Sequence, residues 1–182
     1  MVRSVLLSLA LISGVGAAAA QEAALPNAPV PALDLHRYAG TWHEIAHLPL
    51  FFQRRCAANT TATYTPRPDG RLVVRNACDT REARRLVSEG VARPVAGQPG
   101  ALQVRFAPAW LGWLPMVWAD YWVVELDPDY RWAVVGGPSR QYLWILSRTP
   151  TMPRAQFDAL RDRAARRGYP VERLIQAGRT VE

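Results

Sequence analysis

The chain has 182 residues, a length that suits one domain with a full core. Its 22 basic residues, all arginine, outnumber 15 acids and give a formal net charge of +7. No RNA-binding motif and no Gly-rich phosphate loop accompanies that charge, so nucleic acid is set aside. Anionic lipid or envelope polymer is the expected counterpart, with most of the arginines forming a solvated surface.

The first segment reads as a secretory leader. Arg3 supplies a charge, residues 5–15 form an apolar run too short to span a bilayer, and residues 17–20 are alanines before Gln21. Residues 1–20 are therefore read as a signal peptide, residues 21–33 as an Ala/Pro-rich linker, and residues 34–182 as the domain. No cysteine lies near the expected cleavage point. The expectation is an exported, soluble periplasmic protein without a lipid anchor, associated at most peripherally with the outer membrane.

From residue 40 the chain predicts short strands separated by turn chemistry. They fall at 40–48, 56–65, 71–78, 84–94, 101–107, 118–126, 131–136 and 141–148, with turns at Pro66 to Gly70, Gly97 to Gly100, Asp127 to Tyr130 and Gly137-Pro138. The pattern then changes. Residues 153–167 open on Pro153, close before Gly168 and place Phe157, Leu160 and Ala164 on one stripe, which predicts a helix packed on the sheet. Residues 171–175 add a short final segment. Eight consecutive strands with mostly short connections predict a mainly β fold, an up-and-down antiparallel barrel, with a sandwich as the alternative. Eight strands enclose room for one small ligand.

Within the first strand, His43-Glu44-Ile45-Ala46-His47 matches the H-E-x-x-H zinc signature. That chemistry needs a helix, and Gly40 and Pro49 leave room for two turns at most. On a regular strand the two histidines share a face about 13 Å apart at ~3.3 Å per residue, too far for one zinc, and Glu44 points to the other face. His36 is upstream, and Glu82 and Glu89 lie beyond a hairpin. No metal and no cofactor is therefore expected. The remaining reading of the pair is a metal or haem binder through His43 and His47.

Cys56 and Cys78 both map to one end of the strands, and an oxidising compartment favours their pairing. A straight hairpin about residues 67–70 misaligns them by roughly three residues, so a bulge or loop must absorb the offset.

Gly40-Thr41-Trp42, the Asp127 to Tyr130 turn and Arg148 closing the last strand resemble the three hallmarks of the lipocalins. DLHRYAGTWHEIAHLP, FFQRRC, TATYTPRPDGRLVVRNAC and DYWVVELDPDYRWAVVGGPSRQYLWILSRTP extend the likeness over about residues 33–177, towards the bacterial branch related to apolipoprotein D. The resemblance implies a calyx closed at one end, a C-terminal helix on its wall, and binding of fatty acids, lysophospholipids or other hydrophobic molecules without catalytic residues. Bacterial members are often outer-membrane lipoproteins. Physics supports the hallmarks separately: Trp42 and Arg148 fall at the same end of an up-and-down barrel, where a guanidinium over an indole closes the floor.

Strand parity sorts the interior. Phe106, Tyr121, Trp144, Tyr64 and Asn76 match positions that line the pocket in apolipoprotein D. Parity adds Ala62, Val123, Ala133 and Val135, with Glu44 as a polar candidate. Each of these either fills the core or touches a ligand. The open end gathers loops 49–55, 79–83, 108–117 and 137–140, so Phe51, Phe52, Trp110 and Trp113 form a rim with Arg81, Arg84 and Arg85. This rim either meets an anionic membrane surface or folds over the barrel as a lid. The leading reading is a lipid-binding protein of the cell envelope, with an enzyme on a bound lipid as the alternative. Trp122 and Trp132, of opposite parity, either mark a subunit contact or lie beneath the helix, which leaves the oligomeric state open.

Overall fold

The computed structural model describes residues 23–182, so the expected leader at 1–20 lies outside the described residues. A short helix α1 (Leu35–Tyr38) precedes eight strands: β1 (Gly40–His47), β2 (Ala58–Pro66), β3 (Leu72–Asp79), β4 (Arg85–Val95), β5 (Gln98–Arg105), β6 (Ala119–Leu126), β7 (Trp132–Gly136) and β8 (Trp144–Ser147). Each pairs antiparallel with the next, and β1 also pairs with β8. That last pairing closes the sheet into an eight-stranded barrel and removes the sandwich alternative. Strand β9 (Thr151–Pro153) leads into helix α2 (Arg154–Arg166), followed by β10 (Ile175–Gln176) on β1 and β11 (Arg179–Val181) on β9.

Two apolar clusters arise from strand alternation. One fills the barrel and includes Tyr38, Trp42, Tyr64, Leu102 and Tyr121. The other lies outside, where Phe157, Leu160 and Ala164 of α2 pack on Ile45, Val134 and Ile145. Trp122 and Trp132 are partly buried against this outer cluster.

Three local departures from the expected pattern shape the site. The 97–100 turn is tighter than expected: Ala96-Gly97 alone turns the chain, with Gly97 at φ +73°, and Gln98 to Gly100 already belong to β5. Gly100 is required there because a Cβ would collide with the backbone of Val30. The segment expected to be a linker therefore carries contacts of its own. Val30 N–H donates to the Val123 carbonyl, Asn27 donates to the Gly137 carbonyl, and Val30 and Leu33 pack on the barrel core.

The second departure is in β1. Its register with β8 slips between Glu44, opposite Leu146, and Ala46, opposite Ile145. A bulge adds a residue to one strand and inverts the facing of the residues beyond it. Ile45 and Ala46 consequently both join the outer cluster. Glu44 and His47 share the inner face, where His47 Nε2 stands 3.8 Å from Glu44 Oε1. His43, before the bulge, faces outward with the opposite parity to Trp42 and Glu44. The expectation that the two histidines share a face is thus corrected, and so is the placing of Glu44 opposite to His47.

The third is the offset between the cysteines. The β2–β3 register slips between Ala58 and Thr61, and Asn59 takes a left-handed φ of +52°. Cys56, which begins no strand but lies in the loop two residues before β2, then reaches Cys78 in a disulfide with Cα atoms 5.5 Å apart.

Candidate ligand cavity

The closed end is built around Trp42, which is fully buried. Its indole N–H donates to the Tyr38 carbonyl, and the Arg148 guanidinium covers the ring at 3.8 Å. Above it, Tyr38, Tyr64 and Tyr121 join through their hydroxyls: Tyr121 Oη lies 2.7 Å from each of the other two. Burial raises all three phenols above their ordinary value, Tyr64 to about 12, so they are neutral. Tyr38, carried by α1, was not legible as an interior residue because strand parity does not reach a helical turn.

The expected ligand residues divide into two layers. Tyr64, Tyr121, Val123, Ala133 and Val135 are buried in the packed core of the barrel. Ala62, Asn76, Phe106 and Trp144 stay partly exposed nearer the mouth, and the Phe106 ring rests on Gly90 of β4, where a Cβ would strike it. The lower barrel is therefore filled, whereas the upper inner wall keeps accessible apolar surface.

Glu44 sits between the layers and is buried. Its Oε2 accepts from Gln53 Nε2 at 2.7 Å, while Oε1 has no hydrogen-bond partner. Burial raises its carboxyl to about 7 against the lesser, opposing effect of the Gln53 hydrogen bond. Burial likewise lowers His47, which favours the neutral imidazole. Gln53 belongs to the one-turn 3-10 helix Phe51–Gln53 of the first mouth loop, and its Oε1 also accepts from Trp144 Nε1 at 3.2 Å. One side chain thus ties a rim loop to β1 and β8. The hydrophobic pattern gave no signal for Gln53, because it lies in a loop and reaches inward only through the bulge that turns Glu44 and His47 together.

The rim is apolar and basic. Phe51 and Phe52 are 78% and 57% exposed, and Trp110, Trp113 and Met116 are 73%, 78% and 86% exposed. The 108–117 loop is not slack, however. Trp118 at its base is stacked by Arg93 at 4.0 Å and Arg105 at 5.0 Å, and its indole N–H donates to the Gly112 carbonyl. Arg105 donates to the Ala109 carbonyl and occupies the space a Cβ on Gly112 would need. This clasp holds the loop with Trp110 and Trp113 turned to solvent, not folded over the barrel. At the same end of the barrel, Arg54, Arg55, Arg81 and Arg84 of the β1–β2 and β3–β4 loops line a recess of about 280 Å³ with Thr80 and Glu82.

Cys56 is held in a disulfide. The register slip in β1 puts His43 and His47 on opposite faces, so the two do not converge on one metal ion in this arrangement. Among the described residues no group of three or more His, Cys, Asp or Glu is placed to hold a metal ion.

Comparison with known proteins agrees with this architecture. A family model described as "Lipocalin-like domain" matches residues 33–179. Temperature-induced lipocalin-1 of Arabidopsis thaliana is 40% identical over 148 residues, covering 80% of this chain and 78% of its own. The outer membrane lipoprotein Blc of Escherichia coli (strain K12) is 39% identical over 145 residues, covering 78% of this chain and 77% of its own. Among solved structures, the cockroach allergen Per a 4 superposes with a TM-score of 0.64 at 16% identity, over 88% of this chain and 97% of that one. With a closed eight-stranded barrel, an Arg-covered tryptophan floor and a helix on the wall, the chain belongs to the lipocalin family.

Proposed function

We propose that this protein is an exported, non-enzymatic carrier that holds a fatty acid, lysophospholipid or similar amphiphile in its barrel, for storage or transport in the cell envelope. The observation that carries the reading is the two-layered interior. A floor sealed by Trp42 and the three tyrosines lies below an inner wall where Ala62, Asn76, Phe106 and Trp144 keep accessible surface. Apolar lining with few polar groups is what a site for an acyl chain needs. The name of the bacterial relative, an outer membrane lipoprotein, supports an envelope location. The exposed aromatic rim beside four arginines supports delivery at an anionic membrane surface, since apolar insertion and a positive patch act together at an interface.

The test is to express the protein in its own cell envelope, purify it without detergent, record native mass spectra and extract the bound lipid. Co-purifying amphiphile, displaced with a change in tryptophan fluorescence, is the expected result. Protein that purifies empty and neither binds an acyl chain nor responds to one rejects the carrier reading.

A further inference from the structure

The upper barrel contains a polar group that its own packing leaves unsatisfied. Glu44 faces the interior and uses one oxygen only: Oε2 accepts from Gln53, and Oε1, shielded from water, accepts nothing. A buried carboxylate without its donors is costly, and such a group is retained where something else completes it. His47 does not complete it. Its Nε2 stands 3.8 Å from Oε1, beyond hydrogen-bond reach, and its Nδ1 is also buried without a partner. Gln53 donates its amide N–H to the other oxygen of Glu44, accepts from Trp144 at its carbonyl, and makes no bond to Oε1. The β8 residue across from Glu44 is Leu146, which brings no charge.

We propose that Glu44 and His47 form a head-group site that takes the donor end of an amphiphile, a hydroxyl or primary ammonium on an alkyl chain, in preference to a carboxylate. The assignment rests on the carrier reading and names the head group. Both groups supply the donor that Oε1 lacks. An ammonium carries three donors, one of which serves Oε1, and burial favours the neutral imidazole of His47 beside it, which adds no competing positive charge. The hydrocarbon then runs along the partly exposed wall formed by Ala62, Phe106 and Trp144. A carboxylate at the same depth sets two like charges together away from water. Such a ligand is left with the arginine rim or must enter with a proton.

The experiment displaces a neutral hydrophobic fluorophore, N-phenyl-1-naphthylamine, from the protein lacking residues 1–20, using dodecylamine, dodecanol and laurate. Burial sets the Glu44 carboxyl at about 7, so measurements at about pH 8.5 and about pH 5.5 bracket its titration. His47 is the titratable group that faces it, and burial lowers its pKa. At the higher pH, dodecylamine is expected to displace the probe roughly tenfold or more tightly than laurate, the ratio of one charge-assisted hydrogen bond. The ratio shrinks at the lower pH, where dodecanol is unchanged. Glu44→Gln, close in shape, removes the preference at both. The wild-type pH series stands independently of whether that variant folds. A protein that binds no probe and no amphiphile overturns the carrier reading and this site with it. Probe binding with laurate equal to or tighter than dodecylamine at the higher pH overturns the head-group assignment alone.

Discussion

The guanidinium of Arg148 lies 3.8 Å from the centre of the Trp42 ring and donates to the carbonyls of Arg37, Tyr38, Thr41 and Tyr130. One side chain at the end of β8 thereby joins α1, the start of β1 and the β6–β7 turn. The stacking and the hydrogen bonds act at different atoms, so their losses add when the side chain is removed. Arg148→Ala is expected to lower the unfolding free energy by about 2–4 kcal/mol. Arg148→Lys should recover only a minor part, because an ammonium has no planar fork to span these carbonyls. Urea denaturation with an unchanged slope measures both. A lysine variant as stable as wild type would show that charge alone suffices at this position.

The Cys56–Cys78 disulfide pins the first mouth loop to the end of β3 across a sequence separation of 22. A loop of that length gives about 3 kcal/mol from restriction of the unfolded chain. The paired Cys56→Ser and Cys78→Ser variant is expected to lose that much, and reductant should shift wild type toward it. Alkylation of the native exported protein should find no free thiol. Two reactive thiols would refute the pairing.

Much of this structure was legible in sequence because its signals are local and periodic. The alternation through β3, β7 and the parts of β2 and β6 outside their register slips separates inner from outer residues, and the Phe157-Leu160-Ala164 stripe locates the helix face. Trp42 and Arg148 could be paired because an up-and-down order fixes which strand ends meet. The missing parts depend on single-residue insertions and long-range packing. The bulge at Ile45 leaves no mark in composition, yet it decides that Glu44 and His47 are neighbours and that His43 is not. Tyr38 joins the tyrosine cluster from a helical turn. The strap at residues 25–33 reads as linker because its Pro-rich run lacks periodicity, although Val30 seats on Gly100.

The bulge also makes stability depend on pH. The Glu44 carboxyl is raised to about 7 in the folded protein, from an ordinary value of 4.5. A raised carboxyl favours the fold while protonated, so its contribution is full below about 4.5 and declines as pH rises through about 7. The whole span amounts to about 3 kcal/mol at most, since relaxation and water entry reduce it. Glu44→Gln is expected to flatten this part of the profile and to be the more stable protein at pH 8, with the Gln53 hydrogen bond kept. Thermal melts of both proteins between about pH 4 and pH 9 measure it. Parallel profiles would place the Glu44 titration elsewhere.

The rim supplies the last prediction. An aromatic side chain held in water by a rigid loop is unusual unless it meets another surface, because large exposed apolar patches favour association. Here the Arg93–Trp118–Arg105 stack fixes the loop that presents Trp110 and Trp113, while Phe51 and Phe52 stand on the β1–β2 loop at the same end of the barrel. Arg54, Arg55, Arg81 and Arg84 bring positive charge to the same end. Binding to anionic vesicles is therefore expected to need both parts. Trp110→Ala with Trp113→Ala should weaken flotation with phosphatidylglycerol vesicles by roughly tenfold or more, since each indole buries a large apolar area. Arg54→Gln with Arg55→Gln should weaken it by a smaller factor that disappears at high salt, as screening removes the charge term. Neither pair contributes to the barrel core, so thermal stability should stay near wild type. If the tryptophan pair floats as wild type does, the loop is not the membrane contact; if vesicles lacking anionic lipid bind equally, the arginines are not part of it.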